Sequence, residues 1–104
     1  MSIKSDLLVL AFIKNSRKNF LDSYLIKSGD ATSGEIFLKL SKLNGLAKIY
    51  TFRKYKKKNN WEIYGLDKWE QEEVIKNKLD KISSIDPDVW IIELEDEGGN
   101  YPNF

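Results

Sequence analysis

The chain has 104 residues, 17 basic and 16 acidic side chains, and neither cysteine nor histidine. Those two absences exclude disulfides, thiolate nucleophiles, zinc–thiolate sites, histidine-based triads and most transition-metal sites. Any catalysis would have to run on carboxylates, Lys, Tyr, Ser/Thr or an oxygen-bound cation, and a chain of this length folds as one domain around one core.

The first element opens at Ser5, read as an N-cap, with Asp6 in the first turn where a carboxylate opposes the helix dipole. A helix is predicted to about Asn19, burying Leu8, Ala11 and Phe12 and ending in Lys14, Arg17 and Lys18. The apolar run Leu7 to Ile13 is too short to span a membrane, which takes about 20 residues. Asp6 in its flank and the lack of a small-residue cleavage site also count against a signal peptide. A cytoplasmic location is therefore expected.

Phe20 to Lys27 reads as a strand, ended by Ser28, Gly29 and Asp30. Asn44-Gly45 supplies the residues of a two-residue type I′ hairpin turn. Pairing outward from it sets Leu43 opposite Leu46, Leu40 opposite Ile49, Leu38 opposite Thr51 and Phe37 opposite Phe52. The two-residue period then gives one face of Ile36, Leu38, Leu40, Ala47, Ile49 and Thr51. The other face carries Glu35, Phe37, Lys39, Lys48, Tyr50, Phe52 and Lys54. Lys54 to Asn60 is too polar for burial and reads as a hairpin loop, followed by a strand from Trp61 to Leu66.

Asp67 with Glu70 has capping-box spacing and predicts a helix to about Ser83, with Ile75, Leu79 and Ile82 as its apolar stripe. Asp86-Pro87 stops it. A last strand covers Val89 to Glu95, and Gly98-Gly99 ends it, leaving 97–104 as a loose tail. The order is α-β-β-β-β-α-β: a single α+β domain over 1–104, with a largely antiparallel sheet and two helices packed on it.

The near-zero net charge hides a segregation. Residues 1–68 carry 14 basic and 6 acidic side chains, a surplus of +8, whereas 69–104 carry 3 and 10, a deficit of −7. These blocks either neutralise each other within one molecule or form faces that attract another. Lys outnumbers Arg 15 to 2, so the run Lys56, Lys57, Lys58 reads first as compositional bias at a solvated loop.

The stretch Asp86, Pro87, Asp88, Trp90, Ile91, Ile92, Glu93, Leu94, Glu95, Asp96 resembles the C-terminal signature of a family of small bacterial proteins, domain of unknown function 1491. The resemblance extends to Gly29-Asp30, to Gly34 with Phe37, Leu38 and Lys39, and to Gly45. It covers about Ser5 to Asp96; the run 56–58 departs from it. The resemblance implies no activity, so no residue inherits a role from it.

Three surfaces stand out. Phe37, Tyr50 and Phe52 interleaved with Lys39, Lys48 and Lys54 have the composition of a platform for single-stranded nucleic acid. Trp69, at the start of a charged helix, is a candidate partner contact. Asp86, Asp88, Glu93, Glu95 and Asp96 are the densest carboxylates, but along a strand Asp88 shares a face with Trp90 and Ile92 while Glu93 and Glu95 point the other way. The leading expectation is a non-catalytic module that binds a protein partner or itself, with no cofactor, metal or membrane contact and no identifiable small-molecule substrate. A nucleic-acid-binding accessory protein is second, and a carboxylate-dependent hydrolase third.

Overall fold

The structure is a computed structural model and describes residues 3–103. Its elements run α1 (Ser5–Lys18), β1 (Asp22–Lys27), β2 (Ile36–Ser41), β3 (Leu46–Phe52), β4 (Trp61–Ile63), β5 (Glu70–Gln71), α2 (Glu72–Ile85) and β6 (Trp90–Glu95). The strands form one sheet in the order β1-β6-β2-β3-β4, with β5 also on β3. Only β2 and β6 pair in parallel; every other pair is antiparallel. The class and element order are those expected, with β5 added.

The two helices cover opposite faces. Val9 and Phe12 of α1 pack with Ile36, Leu38, Leu40, Tyr50, Trp61, Trp90, Ile92 and Leu94. Ile75 and Leu79 of α2 pack with Phe37, Ala47, Ile49, Val89 and Ile91. Alternation along β2 and β6 thus feeds two cores, which is why both strands are buried almost throughout. None of the described helices is long and apolar enough to cross a membrane.

Four expectations need correcting. The β2–β3 connection is a three-residue loop, closed by the Lys42 amide donating to the Leu46 carbonyl at 3.0 Å. Leu43 and Gly45 take the left-handed conformation. Asn44 instead accepts the Leu46 amide through its side chain, an Asx-type turn. The register therefore slips by one: Phe37 faces Thr51, Leu38 faces Tyr50, and Leu40 faces Lys48. A one-residue slip moves a whole strand's side chains to the other face.

Second, α2 begins at Glu72 rather than at an Asp67 cap. Glu70 and Gln71 pair with Ala47 and Leu46 instead, giving partners to backbone groups of β3 that β4 is too short to reach. Third, Ser5 is not the N-cap but the first helical residue, and its buried hydroxyl donates to the Gly34 carbonyl at 2.6 Å. The buried stripe of α1 is Val9 and Phe12 with Ser5 and Ser16; Ala11 is exposed. Fourth, the tail is fastened: the Tyr101 hydroxyl donates to the Trp61 carbonyl at 2.6 Å and Pro102 is buried. Phe104 lies outside the described residues.

Candidate functional site

The register decides the fate of the aromatic and basic face. Phe37 and Lys39 lie on the α2 side; Lys48, Tyr50 and Phe52 lie on the α1 side. Phe37 and Tyr50 are buried, and Phe52 packs edge-on against Trp61 with ring centroids 5.0 Å apart. Lys39 pairs with Glu72 at 2.8 Å and Glu93 at 3.4 Å. Burial, the largest single influence, pulls the pKa of its ammonium down, but these two carboxylates together outweigh it and raise it overall. Lys48 pairs with Asp67, and Lys54 reaches Ser5 and the Thr32 carbonyl. The six residues expected on one face are thus divided, and their rings are not open for stacking.

Trp69 is also largely taken. The Lys42 and Lys48 ammonium groups lie 4.8 and 4.6 Å from its ring centroids. The tail rests on the ring as well, since a methyl group added at Gly99 would lie 2.7 Å from it. In the lysine-rich loop, the Asn60 amide donates to the Arg53 and Lys56 carbonyls, and Lys56 pairs with Glu62, leaving Lys57 and Lys58 exposed.

Residues of the C-terminal signature tie the chain together. The Trp90 indole donates to the Asp30 carbonyl at 2.7 Å, and the Asp30 amide donates to the Asp88 carbonyl at 2.9 Å. Gly29 and Gly34 press so closely on this turn that an added Cβ would lie 2.1 and 2.3 Å from the Asp88 carbonyl oxygen. Asp86 accepts the Asp88 amide, and Pro87 supplies its carbonyl to the Lys27 ammonium. The Asp30 carboxylate is held below the usual range, first by the Ser33 amide and then by its hydroxyl. At the far end of β6, Asp96 accepts the amides of Gly98 and Asn100. Glu95 accepts the Tyr24 hydroxyl at 3.1 Å, which pushes that phenol up. The carboxylates are spread along β6 and its two ends, and no group of three or more that could hold a metal ion occurs among the described residues.

Sequence reasoning missed the feature at the junction of α1 and β1. The Leu21 amide donates to the Ser16 carbonyl and the Phe20 amide to the Arg17 carbonyl, both at 3.0 Å, the paired bonds of a Schellman helix end. Its left-handed position is usually glycine. Here it is Phe20, with φ of 61° and 97% of the residue exposed. A bulky residue in that conformation is strained, and this one recovers no burial in return.

Phe20 leads into β1, the outermost strand. Tyr24, Leu25 and Ile26 are exposed along it, and the pairing shifts between Leu25 and Lys27. Beside it, between β1 and α2, lies a groove of about 420 Å³ lined in part by Ile26, Lys27, Lys76, Leu79 and Ile91. A strained exposed aromatic, apolar strand residues and an unpaired edge therefore adjoin one another.

Comparison with known proteins gives a family and a fold. A family model described as protein of unknown function (DUF1491) matches residues 3–102. The crystal structure of a DUF1491 family protein from Caulobacter crescentus CB15 is 22% identical, with a TM-score of 0.77 over 98% of this chain and 93% of that one. The solution structure of a protein from A. tumefaciens is 20% identical, with a TM-score of 0.69 over 91% and 86%. No curated protein matches the chain.

Proposed function

The chain belongs to the family of proteins of unknown function DUF1491, and on that premise we propose that it is a non-catalytic interaction module that binds protein through the free edge of β1, with Phe20 as the anchor. The observation that carries this reading is Phe20 itself, fully solvated in a backbone conformation that glycine would hold at lower cost. Aromatic anchors dominate protein interfaces because one ring buries a large apolar area with few rotatable bonds. Strand addition to an open sheet edge supplies the directional part of such a contact through backbone hydrogen bonds.

Photo-crosslinking in the native cell tests this. A benzophenone side chain at position 20 is expected to give discrete protein adducts, while the same group in place of Tyr55, also exposed on the loop after β3, gives few. Adducts at position 55 equal to those at position 20, or none at 20, would remove the reading.

A further inference from the structure

We propose that the occupant of the β1 edge is β1 of a second copy of this chain, paired antiparallel about a two-fold axis at Tyr24; this rests on the interaction reading above and names its partner. The argument is the charge order along the strand. Asp22 stands at one end beside Glu95, and Tyr24 stands beside Glu93. Lys27 closes the other end; Lys76 in the same groove is already matched by Asp80 at 3.5 Å, which leaves Lys27 as the cation of that end.

The irregularity after Leu25 puts Lys27 opposite Ile91, so Lys27 emerges on the α2 side together with Asp22 and Tyr24. The backbone of Asp22 pairs with Glu95, but its carboxylate makes no ion pair or hydrogen bond among the described residues. Among the described residues the Lys27 ammonium meets only the carbonyl oxygens of Ser28, Pro87 and Val89. One end of the edge is thus an uncompensated anion and the other a cation without a carboxylate.

A wholly basic segment laid on this edge would meet Lys27, and a wholly acidic one would meet Asp22 with Glu95 beside it. Like charges brought together in that way oppose binding. A segment acidic at one end and basic at the other, run antiparallel, satisfies both ends, and β1 is such a segment. A two-fold contact is isologous, so every favourable pair occurs twice.

Centred on Tyr24, the pairing sets Ser23 opposite Leu25 of the second copy and Asp22 opposite its Ile26–Lys27 irregularity. Each Phe20 then lies against the turn that follows the other copy's β1. That irregularity limits the ladder, and a two-fold contact uses the β1 edge of both copies at once, so pairing closes at two chains rather than growing into a fibre.

Sedimentation of the full chain at low salt tests the assignment. The wild type is expected to pass from monomer to dimer as concentration rises. Asp22→Lys and Lys27→Asp are each expected to weaken the dimer about tenfold or more, and the double exchange to recover most of that loss. Because Lys27 also holds carbonyls of the α2–β6 turn, Tyr24→Glu provides an independent variant: it sets two further carboxylates at the axis beside Glu93 and Glu95 of both copies and is expected to abolish the dimer with the fold intact by circular dichroism.

A wild type that stays monomeric at millimolar concentration, a dimer indifferent to Tyr24→Glu, or a folded double exchange no better than the single ones overturns the second copy. A monomer that still gives adducts of a different protein at position 20 overturns this partner and leaves the interaction reading standing. A monomer with no adduct overturns both.

Discussion

The two edges of the sheet are finished in opposite ways. Beyond β3 the chain lays down β4 and β5, fastens Tyr101 to the Trp61 carbonyl, and packs the Trp61 ring against Phe12 and Phe52. Beyond β1 no further strand pairs among the described residues, and Phe20, Tyr24, Leu25 and Ile26 lie exposed. Native proteins protect a sheet edge unless its exposure is used. The contrast within one small molecule separates a side built for stability from a side kept for contact.

Substitutions at the guarded edge and in the turns of the family signature should cost the most. Trp61→Ala removes a buried ring that two other aromatics touch and is expected to lower unfolding free energy by about 3–5 kcal/mol in a urea titration. Gly34→Ala tests whether the family signature is structural. Its new methyl group would meet the Asp88 backbone and the Trp90 ring, at an expected cost of about 1–3 kcal/mol.

The open edge should behave differently. Leu25→Lys is expected to change the stability of the monomer by less than about 0.5 kcal/mol, as for an exposed site without partners, while weakening association. A loss of several kcal/mol there would show that β1 is finished by contacts within the chain.

The smallest effect concerns pH. Hydrogen bonds from Lys56 first and then Arg53 hold Glu62 below its usual value. A carboxyl depressed in the folded state contributes stability that is fully present above its unfolded value and is lost as pH falls through the folded one. Protection of the β4 amides, measured relative to their intrinsic exchange rates, should therefore fall as pH drops below about 4. Protection in β1, whose Tyr24 phenol is raised, should show no matching step in acid.

The element order was legible because hydrophobic period, Asp86-Pro87 and the apolar run of β6 all point the same way. Alternation along β6 also placed Glu93 and Glu95 opposite Trp90 and Ile92, and the structure keeps that division. The hairpin register was not legible. Asn44-Gly45 has the right residues for a two-residue turn, but Asn44 spends its side chain on the Leu46 amide, and the Glu72 amide ties α2 to the Gly45 carbonyl. That tertiary bond leaves no mark in the local sequence.

Phe20 was hidden for a related reason. A helix ending in Arg17-Lys18-Asn19 calls for glycine next, and an aromatic there reads as the first residue of a strand. The useful signal was the missing glycine. The charge blocks, +8 and −7 in sequence, meet in the folded chain mainly at Lys39, whose carboxylate partners both come from the acidic part. Most of the remaining charge faces outward, and at β1 it is ordered along the strand.

Urea unfolding of the wild type and of Phe20→Gly, each at low and high protein concentration, tests the central claim most directly. At high dilution the glycine variant is expected to be the more stable by about 0.5–1 kcal/mol, because left-handed strain is relieved. As concentration rises, the wild-type midpoint should climb through mass action while the variant's stays fixed. A glycine variant that is less stable at high dilution, or a wild-type midpoint that does not move with concentration, would contradict the claim that Phe20 is held exposed for a second copy.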